Sequence, residues 1–124
     1  MTLDDLRDLE CCDLLTRGHR TGREHWVEIW FGVVDGRLCL ISGNGDAAHW
    51  YRNLSADPHV TLVFGGNRFS GRASVVTDAE ERCKIGEVMR AKYVWDGDPD
   101  IGLTYDAWCY QVPAVWIDIN GLWC

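Results

Sequence analysis

Asp35-Gly36 is the pair of residues that leaves this chain least freedom. Both central positions of a two-residue type I′ turn need φ > 0, which Asp-Gly supplies at low cost. The run before it, His25 to Val34, reads Trp-Val-Glu-Ile-Trp-Phe-Gly-Val-Val after the histidine, rich in β-branched and aromatic residues. The run after it, Arg37 to Ser42, is apolar through Leu38-Cys39-Leu40-Ile41. A hairpin is therefore expected, and Cys39 is expected in its core. A second hairpin follows the same logic, with strands His59–Phe64 and Arg68–Val76 around Gly65-Gly66-Asn67. Val112 to Ile119 reads as a final strand.

Helices fill the gaps. Leucines at 3, 6 and 9 with acids between them predict an N-terminal helix within residues 1–12. Ala47 to Leu54 is long enough only for a short helix before Asp57-Pro58. Thr77 with Glu80 three residues on has the form of a capping box and predicts a helix over about 78–95. With 124 residues, the chain is expected to form one domain, residues 1–124, with the barrel portion over 13–119. The fold class is mainly β with peripheral helices (α+β), an antiparallel sheet large enough to curl into a small barrel.

Composition excludes several classes of function. A formal charge of -7 repels polyanions, so neither nucleic acid nor an anionic membrane surface is an expected partner. The six cysteines, at 11, 12, 39, 83, 109 and 124, include no C-x-x-C pair, and no zinc or other metal site is expected. Asp96-x-Asp98-x-Asp100 opens like an EF-hand loop but has Ile101 where that loop needs Gly and Ala107 where it needs Glu. No G-x-S-x-G elbow, P-loop or G-x-G-x-x-G occurs. The acidic opening and the lack of a long apolar run predict a cytoplasmic protein with no membrane span and reduced thiols, Cys11-Cys12 acting as two small hydrophobes.

The cations are unevenly placed. Ten of the 12 are Arg, and Arg17, Arg20 and Arg23 crowd one stretch with His19 and His25. Arg suits bidentate recognition of phosphate or carboxylate, and a Gly-containing turn can add backbone N–H groups, so Gly18-His19-Arg20-Thr21-Gly22-Arg23 is either an anion-binding loop or a solvated turn. Ser42-Gly43-Asn44-Gly45 either lets a flat ring approach the main chain or is simply a turn requiring φ > 0. In His49-Trp50-Tyr51-Arg52-Asn53-Leu54, helical spacing puts Trp50 and Asn53 on one face.

Taken in order, these segments resemble a known family. Arg20-Thr21-Gly22-Arg23 before a long strand, Ser42-x-x-Gly45 after its partner, and Trp50-Tyr51-x-Asn53-Leu54-x-Ala56-x-Pro58-x-Val60 before a third strand resemble the split β-barrel deazaflavin-dependent oxidoreductases. The likeness is to their nitroreductase and quinone-reductase branch, related to the flavin-binding pyridoxamine-phosphate oxidase-like proteins. It covers roughly residues 14–119.

The resemblance implies a six-stranded antiparallel split barrel with an 8-hydroxy-5-deazaflavin type coenzyme in a groove. Arg20, Thr21, Gly22 and Arg23 would meet its phosphate and acidic tail. Ser42, Gly43, Asn44 and Gly45 would lie along its ring, with Trp50 and Asn53 ordering that wall. The implied reaction passes a hydride from the reduced coenzyme to a small electron-poor acceptor: a quinone, a nitro compound or an enone. Flavin mononucleotide on the same loop, or a non-catalytic flavin or deazaflavin carrier, are the alternatives. A homodimer is implied as well. His25, Tyr105, Trp108 and Tyr110 are the candidates for an acceptor pocket, the last three being equally readable as core rings beneath the final strand; no catalytic acid or base is singled out. Two departures stand out: family members carry Lys where Arg20 stands and Pro-Arg where this chain has Glu24-His25.

Overall fold

The structure is a computed structural model and describes residues 2–45 and 48–120. The strands are β1 (Cys12–Arg17), β2 (Glu24–Ile29), β3 (Phe31–Val34), β4 (Arg37–Ile41), β5 (His59–Phe64), β6 (Asn67–Val75) and β7 (Ala114–Ile119). The helices are α1 (Leu3–Leu6), α2 (His49–Ala56), α3 (Ala79–Lys92) and α4 (Tyr105–Tyr110), with a 3-10 turn at Pro99–Ile101. All seven strands join one antiparallel sheet in the order β2-β1-β5-β6-β7-β4-β3.

Among the described residues there are seven strands where the resemblance implied six: the run from His25 to Val34, read as one strand, is broken at Trp30, and β1 was not read as a strand from the sequence. Ile29 still pairs with Cys12 of β1, while Phe31 already pairs with Leu40 of β4. Trp30 between them stacks on Tyr93, centroids 4.4 Å apart and nearly parallel, with Trp95 and Trp108 edge-on. β2 and β3 are the two ends of the sheet order yet are separated by one residue, so the sheet must curl until its ends meet at Trp30. Asp35 and Gly36 have φ of 50° and 76°, as the hairpin requires.

Burial follows the sequence pattern. Val60, Leu62 and Phe64 of β5 face the main core while alternate positions face out, the period-2 signature of a sheet with one wet face. β4 and β7 lack that alternation because both of their faces are covered. Leu38, Leu40, Val115 and Ile117 fill the main core, whereas Cys39, Ile41, Ala114 and Trp116 meet α3 and α4 in a second apolar cluster. Burial in that second layer pushes the Cys39 thiol up to about 12.

The helices differ from expectation at their ends. α1 is one turn, burying Leu3 and Leu6; Leu9 is 40% exposed, so the third leucine has no core to reach and the chain extends into β1. Asp78, not Thr77, caps α3, its carboxylate accepting the Glu81 N–H at 2.8 Å. α3 stops at Lys92 rather than Trp95 because Tyr93 turns inward: its hydroxyl donates to Glu10 O at 2.6 Å and accepts the Phe31 N–H at 3.1 Å. α4 was not foreseen. Thr104 caps its start, and Arg82 of α3 donates to the carbonyls of Trp108, Cys109 and Val112 at its end. Gly86 permits this contact, since a Cβ there would meet the Tyr110 ring and lie 2.6 Å from Cys109 O.

Candidate functional site

The loop joining β1 to β2 is self-supporting. Gly18 N–H donates to Arg23 O at 2.7 Å, Gly22 N–H donates to Gly18 O at 2.9 Å, and Gly22 has a φ of 69°. Thr21 Oγ1 accepts the Arg23 N–H at 3.2 Å, leaving its own O–H to donate elsewhere.

Asn53 ties that loop to α2. It is buried, and its Oδ1 accepts the His19 backbone N–H at 2.9 Å while its Nδ2 donates to Thr16 Oγ1 at 2.9 Å. His19 Nδ1 also lies 2.8 Å from the same Oδ1. A backbone N–H can only donate, so the amide atom facing His19 is the oxygen and His19 Nδ1 must carry a hydrogen. Asn53 thus orders the loop between β1 and β2.

A cleft of about 240 Å³ opens above this clamp. Gly18, His19, Arg20 and Thr21 come from the loop, His25 from β2, and His49, Arg52 and Asn53 from α2. Two guanidiniums and three imidazoles therefore converge in a chain of formal charge -7. α2 begins beside them, and its cap residue, Ala48, has no side chain with which to satisfy the first-turn N–H groups. The two guanidiniums and the uncapped first turn of α2 favour an anion. Of the residues predicted from sequence, Arg20, Thr21, His25 and Asn53 line it together; Arg23 is exposed and lines none of the clefts described here. His19 belongs to the basic stretch read from the sequence, whereas His49 and Arg52 were not expected beside it, since α2 reaches the loop only through the pairing of β1 with β5.

The second predicted segment forms a separate cleft of about 300 Å³. Ser42 is buried, its Oγ donating to Gly45 O at 2.6 Å and its N–H to Pro113 O at 2.8 Å, which fixes the turn. Gly43 and Asn44 face Trp95, Leu103 and Trp108 across this cleft. A Cβ at Gly43 would sit 3.3 Å from Leu103 Cδ2 and 3.4 Å from Trp108 Cδ1, so glycine keeps the space between loop and rings. Gly45 and His49 are four residues apart, at most roughly 14 Å of extended chain, which sets an upper limit on the distance between the two segments. Trp50 packs against the main core, edge-on to Tyr51.

The four candidate acceptor-pocket residues share no cavity among the described residues. His25 is in the cationic cleft. Trp108 is a buried ring of the second core that also lines the Gly43 cleft. Tyr105 lies against Trp108 and spends its hydroxyl on the carbonyls of Arg90 and Tyr93. Tyr110 donates to Glu87 at 3.2 Å. Wider depressions on the outer face of β1, β5 and β6 and beside α3 contain none of the predicted residues.

Residues 4–98 match the family of F420H(2)-dependent quinone reductases. The chain belongs to that family. Its fold is that of a conserved hypothetical protein from Mycobacterium tuberculosis, with a TM-score of 0.72 at 21% identity over 97% of this chain and 81% of that one. An F420-H2 dependent reductase superposes with a TM-score of 0.63 at 18% identity, covering 88% of this chain and 94% of that one. A protein from Listeria innocua described as a pyridoxamine 5'-phosphate oxidase superposes with a TM-score of 0.65 at 16% identity over 95% and 90% of the two chains. No curated protein matches the sequence. In this quinone-reductase family member the cationic cleft takes Arg20 and Thr21 from the Arg20-Thr21-Gly22-Arg23 segment that carried the resemblance, with α2 adding His49 and Arg52. No helix among the described residues is long and apolar enough to cross a membrane.

Proposed function

We propose that this protein binds a deazaflavin coenzyme of the F420 type and directs hydride transfer to a small electron-poor acceptor: a quinone, a nitro compound or an enone. The observation that carries the reading is the convergence of Arg20, Arg52, His19, His25 and His49 on one cleft of an otherwise acidic protein. These groups fit a phosphate with an acidic tail, and the Cβ-free turn at Gly43 fits a flat ring at the next cleft along the chain. When bound, the reduced coenzyme supplies the hydride. The chain's own residues hold and orient it. Thr21 O–H and the guanidiniums of Arg20 and Arg52 meet the anion, Asn53 keeps the loop in place, and the rings of Trp95 and Trp108 keep water from the side facing Gly43.

The same reading includes a homodimer. β2 ends the sheet order, its outer edge has no strand beside it among the described residues, and Trp26 on it is 47% exposed. It also includes a reducing cytoplasm, in keeping with Cys11, Cys12, Cys39, Cys83 and Cys109 as free thiols.

Titration of the protein with oxidised deazaflavin coenzyme and, separately, with flavin mononucleotide, followed by tryptophan quenching, tests the cofactor assignment. Tighter binding of the deazaflavin, weakened by Arg20→Ala, is the expected result. Preference for the flavin would move the protein to the oxidase-like relatives, and binding of neither would end the reading.

A further inference from the structure

The tautomer that Asn53 imposes on His19 gives the cationic cleft a property that its arginines alone would not. Asn53 Oδ1 already accepts the His19 backbone N–H at 2.9 Å, so the hydrogen at the 2.8 Å ring contact belongs to His19 Nδ1. A neutral imidazole holding its hydrogen on Nδ1 presents a lone pair at Nε2. His19 lines the cleft with its Nδ1 held by the clamp, so the free nitrogen is an acceptor where an anion needs a donor. Rotating the ring to expose Nδ1–H would break the Asn53 contact. Protonation at Nε2 turns the same atom into a charged donor and leaves the clamp intact.

We infer that the anion in this cleft is taken up together with one proton on His19 Nε2, which makes His19 a ligand-binding residue and the affinity of the site pH-dependent. The proton comes from solvent and returns to it on release. The charged and titratable groups that share the cleft with it are Arg20 on the same loop, His25 on β2, and His49 and Arg52 on α2, while Arg17, Arg23 and Glu24 follow in the chain at the ends of the strands that the loop joins. Among the described residues neither the His25 ring nor the His49 ring is held by such a clamp, so either can turn to offer whichever nitrogen bears hydrogen; His19 cannot. The identification of the natural anion as a coenzyme phosphate rests on the function proposed above, whereas the proton linkage rests on the Asn53 clamp alone.

Sulfate is the probe, because it remains a dianion throughout the range in which imidazoles titrate and contributes no proton of its own. Calorimetric titration of the full chain with sulfate at pH 7.5, in two buffers of different ionisation enthalpy, counts the protons taken up. The expected result is net proton uptake on sulfate binding, with affinity falling as pH rises. His19→Gln should lose most of that uptake, while His25→Gln and His49→Gln should lose little. Nitrogen-15 correlation spectra of the unsubstituted protein at pH 8 should show His19 as the Nδ1–H tautomer, a readout that needs no variant. Uptake unchanged in His19→Gln, binding without uptake, an Nε2–H tautomer, or no sulfate binding at tens of millimolar would each overturn the inference. Sulfate binding with proton uptake but no deazaflavin binding would overturn the proposed function and leave this inference standing.

Discussion

Asn53 Nδ2 donates to Thr16 Oγ1 at 2.9 Å, and both side chains are almost completely buried. A helix residue and a strand residue thereby hold each other where neither can use water instead. Asn53→Ala leaves Thr16 unpaired and also frees the His19 backbone N–H. The expected cost is about 2–3 kcal/mol in urea denaturation, since a buried polar group left without its partner costs about 1–3 kcal/mol. Affinity for the coenzyme should fall in the same variant. Equal stability of Asn53→Ala and the unsubstituted chain would refute the clamp.

The two loop arginines are not equivalent. Arg20 lines the cationic cleft and Arg23 does not. Arg20→Ala should weaken deazaflavin binding by roughly 10- to 100-fold, the range of about 1.5–3 kcal/mol for a hydrogen bond to a charged group. Arg23→Ala should change it by less than about threefold, as an exposed, screened charge does. Fluorescence titration of both variants at one ionic strength distinguishes them.

Gly86 is where α3 seats α4. Gly86→Ala forces a methyl against the Tyr110 ring and the Cys109 carbonyl. Overpacking of this kind costs about 1–3 kcal/mol. A lowered melting temperature is the readout, and Gly86→Ala combined with Tyr110→Ala should recover part of the loss.

Alkaline pH should unfold the protein through groups that burial keeps neutral. Burial pushes Cys12 and Cys39 from an ordinary 9.0 up to about 12, and Tyr93 from 10.0 up to about 12. Each holds its proton in the folded chain over a range where the unfolded chain has released it. Their contribution is complete below pH 9 and is lost as pH rises toward 12. Urea midpoints at pH 8, 10 and 11 should fall progressively, and Tyr93→Phe should flatten the upper part of that fall while lowering stability at pH 8.

What the sequence made legible was local or periodic. Asp35-Gly36 took the backbone its turn requires, both hairpins pair about the turns that their residues predicted, and part of the basic stretch around Arg20 lines a cleft. What it concealed depends on distant partners. The run around Trp30 has uninterrupted strand propensity, and only the rings of Tyr93, Trp95 and Trp108 take Trp30 out of the ladder. α4 is a six-residue helix whose end is satisfied by Arg82, far away in sequence. Nothing in the sequence places His49 and Arg52 beside the basic loop until β1 pairs with β5 and α2 meets that loop.

β7, the last strand in the chain, lies in the interior of the sheet between β6 and β4. During synthesis β4 therefore has its hairpin partner β3 long before it has its other neighbour, and Leu38 waits for Ile117. Closure joins residues as far apart in the chain as Leu38 and Ile117, the kind of high-contact-order step that makes folding slow. Until Ala114–Ile119 has left the ribosome, β4 and β6 each present an open apolar edge, so a chain stalled or cut before that point is exposed to aggregation at the seam that β7 would have filled.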